Sequence, residues 1–587
     1  MLHLPTFSPI MSVCQHKSAT ILFMAKDDYD NWDKQQLVDE IRALKKRKRY
    51  GLVWEDKPEQ VAIDCETNLP VLEEVKNMAI ATGTDMPTNL MIEGDNYHAL
   101  SALNYTHKGK IDVIYIDPPY NTGAKDWKYN NNYVNKNDDY PHSKWINFME
   151  KRLYLTKDLL SPKGFICVTI DHHELFALGL LMDELYGEHN RCGIISVLMN
   201  SRGRQFSNSF SATTEFYLVY AKNKSGSSLN TLAIDEEIKE SFTEEDEHGL
   251  FKWNNFIRLA NIDKKLKNRK EDYCYPIYVS PNLAKISLDK KPGYHEVLPR
   301  KKGQQKCWQT MKSSFFLRLQ DAPTDFKAFR EEGEIVIKKK YREQQFFTTH
   351  WINEKYNSTF HGTRLLESII GKDKFEYPKS LYAVMDLLKI TAPKDGVILD
   401  FFAGSGTTGH AVSMLNKEDG GNRRFILCTN NESNIARDVC YPRIKTVIKG
   451  HKKRLDITGV PSNLKYYKTT FVSASPTDDN KVKIMRKAAD MLCVRENTFE
   501  EVKICQSYRI YRNANHHTGI IYTESAIDNF KKYAAKIRGI FHVYIFSLGK
   551  EDYAEEFTDM SSKVQTHPIP EEILRAYRQI SQKRSVK

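Results

Sequence analysis

No run of about 18 apolar residues occurs anywhere in the 587-residue sequence, so nothing in it reads as a helix that crosses a membrane. Residues Met1 to Phe23 lack a basic start, a sustained apolar core and a small-residue cleavage site. A secretory signal is therefore not indicated, and the cytoplasm is the expected compartment. The 10 cysteines stand singly between Cys14 and Cys505 with no C-x-x-C pair. That spacing suggests neither a zinc ribbon nor a disulfide framework, and predicts reduced, mostly buried thiols. No Walker G-K-[ST] follows a glycine loop, so the chain carries no phosphate-binding loop of that kind. Internal repeats and long low-complexity tracts are also missing.

What is present is 41% hydrophobic residues, enough apolar surface for roughly two to four domains. The formal net charge of +12 is modest, but it is concentrated. Between Phe251 and His350 there are 22 Lys+Arg against 11 Asp+Glu, so a polyanion would meet this segment first. Within it, Lys264, Lys265, Lys267 and Lys270 are candidate phosphate contacts. Near the start, Leu37, Ile41 and Leu44 recur at helical spacing and run into Lys45-Lys46-Arg47-Lys48-Arg49. This predicts a short amphipathic helix whose cationic end is either solvated or in contact with the polyanion. Residues 1–24 have two readings, a folded start or a non-native extension upstream of Met24.

Apolar runs of strand length recur at Asn89 to Asn96, Ile111 to Ile116, Gly164 to Ile170, Phe216 to Ala221, Val397 to Asp400 and Arg424 to Thr429. Helix-length patterns separate most of them, which predicts a doubly wound α/β sheet with strands buried on both faces. From Lys222 the pattern breaks into a polar linker and then the basic, aromatic-rich segment, an inserted domain; α/β patterning resumes at Pro378. Short strands and helices beyond Leu464 suggest a small C-terminal α+β domain.

Two local constellations carry chemistry. Asp400-Phe401-Phe402-Ala403-Gly404-Ser405-Gly406-Thr407 follows a strand and opens a helix, a geometry that lets an adenosine-containing cofactor approach backbone N–H groups. Gly404, Gly406 and Gly409 also satisfy G-x-G-x-x-G, so a nicotinamide site or a purely structural turn stays open from these residues alone. Asp400 suits a cofactor with a cationic amino-acid moiety better than one with a pyrophosphate.

The second constellation, Asp117-Pro118-Pro119-Tyr120, ends a buried strand, where open α/β sheets bind ligands. An exocyclic amino group such as adenine N6 is a poor nucleophile because its lone pair is delocalised into the ring. A carboxylate at Asp117 and the Pro118 carbonyl, both accepting N–H, would draw that nitrogen toward tetrahedral geometry and free the lone pair. Pro118 and Pro119 hold the chain extended, and Tyr120 offers a flat face for an extruded base. Alone, the tetrapeptide could be a rigid loop. Cytosine C5 chemistry is disfavoured, since it needs a cysteine nucleophile and no Pro-Cys pair occurs.

Together these residues resemble the β-group DNA amino-methyltransferases, and more narrowly the modification subunits of type III restriction-modification systems. The resemblance covers nearly all of Gly51 to Val472, including Glu93-Gly94-Asp95-Asn96, Asp117 to Gly123, Tyr377-Pro378-Lys379-Ser380-Leu381 and Asp400 to Gly406. It implies a doubly wound Rossmann-like methyltransferase sheet with an inserted basic target-recognition domain. It also implies S-adenosylmethionine as cofactor, with Asp95 at the adenine edge, Phe402 stacked on that adenine, and Ala403, Gly404, Ser405, Gly406 and Thr407 around the methionine part. The family usually has an acidic residue at the end of the next strand for the ribose. Here Cys428-Thr429-Asn430-Asn431 fills that turn and Glu432 lies slightly later, so Glu432 is the candidate. Asp rather than Ser at the head of the tetrapeptide favours adenine N6 over cytosine N4 within the resemblance. The implied partners are duplex DNA, a second copy of the chain and a separate ATP-dependent restriction subunit. An RNA or small-molecule methyltransferase, and a DNA-binding module without chemistry, are the alternatives.

The expected domains are 1–24 (extension), 25–85 (N-terminal helical segment), 86–222 (catalytic half), 223–365 (target recognition), 366–463 (cofactor-binding half) and 464–587 (C-terminal domain).

Overall fold

Strands covered on both faces need uninterrupted apolar side chains, and strands of two to eleven residues assemble into one such sheet in this chain. The computed structural model describes residues 33–35, 59–83, 86–122, 141–200, 210–230, 241–246, 249–258, 270–301, 303–342, 348–451, 458–475, 477–548, 551 and 553–585. The predicted helix through Leu37 to Leu44 and the basic run after it lie outside these residues, as do Lys264, Lys265 and Lys267; of Lys270 only the backbone is described.

The large sheet has ten strands: β1 (Asn68–Glu74), β2 (Thr88–Glu93), β3 (Ile111–Ile116), β4 (Leu160–Ile170), β5 (Arg191–Leu198), β6 (Thr214–Ala221), β7 (His350–Trp351), β8 (Val397–Asp400), β9 (Arg424–Thr429) and β10 (Asn463–Ser473). Their order is β1-β10-β2-β9-β8-β3-β4-β6-β5-β7. The six from β10 to β4 run parallel, while β6 is antiparallel to both β4 and β5. Helices cover this sheet, among them α1 (Asn96–Thr106), α2 (Pro141–Leu159) and α3 (Thr407–Asp419). Residues of β2, β3, β4, β8 and β9, with the helix Leu381–Thr391 and α3, form one apolar core.

Chain connections leave β8 toward β9 and leave β3 toward β4, in opposite directions along the sheet. The strand order thus reverses between β8 and β3, which pair directly through Ile398 with Val113 and Leu399 with Ile114. A crevice forms at the carboxyl ends of strands at such a switch point. Asp117 and Asp400 both stand there.

Three features depart from the expected boundaries. The segment 25–85 supplies a helix, Gln60–Thr67, but then strand β1, which pairs antiparallel with β10 at the sheet's edge. An edge strand tolerates Pro70, whose missing N–H masked the strand in the sequence. β10 crosses the expected limit at 463, pairing with β2 from Asn463 to Lys468. β5 and β7 extend the other edge.

In the inserted segment, Glu244–Asp246, Gly249–Asn255, Phe326–Glu331 and Glu334–Arg342 make a four-stranded sheet over a separate core that includes Phe256, Trp308, Phe315 and Ile337. Here Cys274 and Cys307 bring their Sγ atoms to 3.1 Å, a proximity that single-residue spacing cannot reveal. The C-terminal segment builds a five-stranded sheet from Glu500–Ile504, Tyr508–Arg512, His516–Ile521, Ile540–Phe546 and Val564–Ile569, with its own core. No described helix is long and apolar enough to cross a membrane.

Candidate active site

Asp117 follows β3 directly, so a buried strand fixes its backbone while its side chain reaches the crevice. One carboxylate oxygen accepts a hydrogen bond from the Thr169 hydroxyl at 2.7 Å, from the end of the neighbouring strand β4. The same oxygen lies 3.3 Å from the ammonium of Lys379. Trp145, fully buried on α2, donates its indole N–H to the Pro119 carbonyl at 2.7 Å and ties that carbonyl down. Asn121 then turns the chain with a φ of 57°.

Lys379 is the hub of the pocket. It ion-pairs with Glu215 of β6 at 2.7 Å and hydrogen-bonds the Tyr120 hydroxyl, and its Nζ stands 4.4 Å from the centroid of the Tyr120 ring. Burial opposes its charge, yet Asp117 and Glu215 outweigh that and hold the ammonium above the usual lysine range. Burial, with the negative charges of Asp117 and Glu215, pushes the Tyr120 phenol well above its ordinary value, so the ring stays neutral.

Across the switch point the glycine turn is braced from beneath. One oxygen of Asp400 accepts the Phe402 N–H at 3.0 Å and the other accepts the Thr408 hydroxyl at 2.5 Å. Burial raises the Asp400 carboxyl to about 7 against those two hydrogen bonds, and the charge of Asp117 adds to the rise. Gly404 and Gly406 take φ values of 48° and 78°, left-handed conformations that a side chain resists. A Cβ on Gly406 would stand 3.0 Å from Cys440 Sγ, and one on Gly404 would stand 3.2 Å from the Phe375 ring. Gly406 also caps α3, whose first N–H groups therefore face the crevice unpaired by a capping side chain.

Behind the turn lies Arg443, fully buried, donating to the hydroxyls of Ser405 at 3.0 Å and Thr407 at 2.9 Å. No carboxylate pairs with it among the described residues, and burial pulls it down to about 10. Phe402 is buried against Phe401 and Phe148, with ring centroids at 5.1 and 5.9 Å. Ala403 is buried and donates its N–H to the Cys428 carbonyl.

Asp95 stands at the end of β2 and caps α1, accepting the Tyr97 N–H at 2.7 Å. Arg152 of α2 approaches it at 3.7 Å, donates to Asn96, and is itself held by both oxygens of Glu59 at 2.7 and 2.9 Å. Glu432 follows β9 in a turn and accepts from Asn430 at 3.4 Å. The sequence-derived residues thus gather at the ends of β2, β3, β8 and β9. Sequence reasoning assigned no role to Thr169, Trp145, Glu215, Lys379, Arg152 or Arg443. Of these only Lys379 had a signal, as part of the Tyr377 to Leu381 stretch.

The DNA methylase family (N6_N4_Mtase) matches residues 111–437, which span both constellations. The EcoPI Mod subunit, a type III restriction-modification enzyme of Escherichia phage P1, is 31% identical over 497 residues, covering 77% of this chain and 73% of that one. The type II methyltransferase M.KpnI of Klebsiella pneumoniae is 30% identical over 405 residues, covering 68% of this chain and 92% of its own. The StyLTI Mod subunit of Salmonella typhimurium, another type III enzyme, is 32% identical over 375 residues, 59% of this chain and 53% of that relative. With the Asp117 pocket and the glycine turn facing each other inside the matched stretch, the chain belongs to the N6/N4 DNA methylase family, the S-adenosylmethionine-dependent DNA methyltransferases of restriction-modification systems.

Proposed function

We propose that this methyltransferase modifies N6 of adenine in duplex DNA, as the modification component of a system whose ATP-dependent cleavage subunit is a separate chain. The observation that carries the reading is the Asp117 carboxylate at the switch point, held by Thr169 and Lys379 and opposed by the glycine turn across the β8/β3 junction.

S-adenosylmethionine supplies a methyl group on a cationic sulfur. The turn fits it: α3 begins at Gly406 with no side-chain cap, so its first N–H groups are available to an anionic part of the cofactor, while Arg443 braces the Ser405 and Thr407 hydroxyls from behind. Asp95, Phe402, the turn from Ala403 to Thr407 and Glu432 would hold it, with Asp400 setting the shape of the turn from beneath. Asp117 accepts one amino hydrogen of the flipped base and the Pro118 carbonyl accepts the other. Lys379 pairs with Asp117 and hydrogen-bonds the Tyr120 hydroxyl, which aligns the carboxylate and leaves the Tyr120 ring for the base. No covalent enzyme intermediate is required.

Residues 223–365 are the proposed DNA reader. One face of their four-stranded sheet carries Lys327 directly opposite Lys338, and Lys340 opposite Trp253, with Phe329 in edge contact with Trp253. Glu331 already pairs with Lys338, and Asp246 with Lys340 at 2.5 Å, so Lys327, with no carboxylate partner among the described residues, is the cation of this face left open to an anion. Phosphates supply that anion, and the rings supply contact area.

Mass spectrometry of nucleosides from DNA treated with the full chain and labelled donor tests the reading. N6-methyladenine is expected. Finding only N4-methylcytosine would overturn the base assignment. Asp117→Ala should lower single-turnover transfer at least about a hundredfold while donor and DNA binding persist, and an unchanged rate would remove Asp117 from the active site.

A further inference from the structure

Away from the methyl-transfer pocket, three strands of the C-terminal sheet line up histidines on one face. His516 opens the strand His516–Ile521, His542 lies in Ile540–Phe546 beside it, and His567 lies in Val564–Ile569 beyond that. The long helix Asp478–Glu496 ends against this face and delivers Glu496 to it.

The hydrogen bonds assign the protons. Nδ1 of His567 faces the Glu572 carboxylate at 3.2 Å; a carboxylate only accepts, so the His567 proton sits on Nδ1. Nε2 of His567 is then an acceptor, and it faces Nδ1 of His542 at 3.4 Å, which places the His542 proton on that Nδ1. Nε2 of His542 is left as a bare lone pair, and it points at Oε2 of Glu496 from 4.0 Å. Nε2 of His516 is buried without a hydrogen-bond partner and lies 3.8 Å from the same Oε2. Both separations are longer than a hydrogen bond, so neither ring is hydrogen-bonded to Glu496. The other oxygen of Glu496 is occupied by the Tyr544 hydroxyl at 2.6 Å and approached by Arg495 at 3.5 Å.

Three atoms able to donate an electron pair to an ion converge, one from each of Glu496, His516 and His542, all within 4.8 Å of one another. Two donors each about 2.0–2.1 Å from a tetrahedral ion stand roughly 3.4 Å apart, so the Glu496 separations of 3.8 and 4.0 Å must close by about half an ångström and the separation of the two imidazoles, at most 4.8 Å, by up to about 1.4 Å. The chain from Glu572 through His567 to His542 is the outer-shell support that orients a ligating imidazole.

We propose that Glu496, His516 and His542 bind a divalent transition-metal ion of the zinc class. Two imidazoles and one carboxylate suit a borderline ion and disfavour Mg2+ and Ca2+, which prefer all-oxygen shells. Glu496 and His542 also line a cavity of about 430 Å³, bordered by Lys110, Arg495 and Arg575, with room for water or an anion. The ligands come from one helix and two strands, and the helix also packs on the methyltransferase sheet, where Asp490 accepts the Glu74 N–H at 2.8 Å. The ion thus staples the C-terminal sheet to the helix that anchors it.

The test uses the tag-free full chain, treated with chelator and then titrated with Zn2+ by calorimetry, with Mg2+ as the comparison. One zinc site per chain and a thermal midpoint raised by several degrees are expected, with no such response to Mg2+. Glu496→Gln and His542→Ala should each weaken binding at least tenfold and abolish the rise in midpoint, while the methyl-transfer rate persists. Co2+ loaded into the wild-type chain gives a readout independent of variant folding: absorption bands of nitrogen and oxygen coordination are expected. A thiolate charge-transfer band, lost in Cys274→Ala, would assign the metal to Cys274 and Cys307 and overturn the proposal, as would zinc affinity unchanged in Glu496→Gln or no stoichiometric binding at all.

Discussion

Replacing Lys379 by methionine keeps most of the stem's length and removes its charge, which isolates what the ammonium does in the pocket. In the folded protein it stands 3.3 Å from Asp117 and 2.7 Å from Glu215, with side chains 10%, 27% and 21% exposed respectively. At an effective dielectric near 20, attraction at such distances is about 5 kcal/mol before desolvation is counted. Breaking a buried pair by removing one partner costs about 3–5 kcal/mol, and the partial exposure of the two carboxylates moves the expected loss of stability to about 2–3 kcal/mol. Transfer should fall about a hundredfold, because Asp117 loses the group that aligns it and the Tyr120 hydroxyl loses its donor. Affinity for S-adenosylmethionine should hold, since no contact of Lys379 reaches the glycine turn. The sharpest readout is a double-mutant cycle. Glu215→Gln in the Lys379→Met background removes one of the two orphaned carboxylates, so it should recover part of the lost rate and midpoint, with a coupling of about 0.5–3 kcal/mol. Strictly additive effects, or a wild-type rate for Lys379→Met by single-turnover assay, would refute the reasoning.

Gly404→Val should abolish donor binding in calorimetry and leave DNA mobility shifts intact, because a branched residue resists a φ of 48° and its Cβ would press on the Phe375 ring at 3.2 Å. Asp400→Asn tests the raised carboxyl: the folded state keeps its proton up to about 7, whereas the unfolded value is 3.8. Folded protein thus binds more protons in this window, and wild-type stability from this group falls as pH rises from about 4 to 7, by up to about 4 kcal/mol. Asn does not titrate, so the midpoint of Asp400→Asn without donor should gain on wild type as pH rises; a difference constant from pH 4.5 to 8 would disprove the assignment. Lys327→Ala with Lys338→Ala should reduce the slope of log affinity against log salt for duplex DNA by about 0.9 for each phosphate no longer neutralised, and an unchanged slope would move the DNA footprint off this sheet face.

The strands of the central sheet were legible because burial on both faces forces continuous apolar runs such as Ile111–Ile116 and Arg424–Thr429. β1 and β10 were not, since both lie toward the polar margin: β1 carries Pro70, and β10 mixes Lys465, Lys468 and two threonines among its tyrosines. The pocket divides in the same way. Asp117 and the glycine turn belong to constellations whose chemistry is contained in a few consecutive residues. Lys379 and Glu215 are 164 residues apart, and Arg152 and Glu59 are 93 apart; only strand order brings them together. Asp400 shows a subtler limit: nothing in its motif tells that both oxygens accept hydrogen bonds from Phe402 and Thr408, which makes the residue a brace for the backbone.

That strand order also explains why an insert can sit between the two halves without separating them. The chain leaves the sheet at β6, and after the insert it re-enters beside β5 through β7, on the same margin of the sheet. From β7 it passes through the turns of Thr359–Ile370 to Lys379, where Gly362 packs so closely under the Pro378 carbonyl that a Cβ there would stand 2.2 Å from it. The returning segment is therefore clamped just before the residue that touches Asp117, Tyr120 and Glu215. Glu215, at the start of β6, lies close to the point of departure, so the ion pair between Lys379 and Glu215 joins the outgoing and incoming chain ends of the insert across the base pocket.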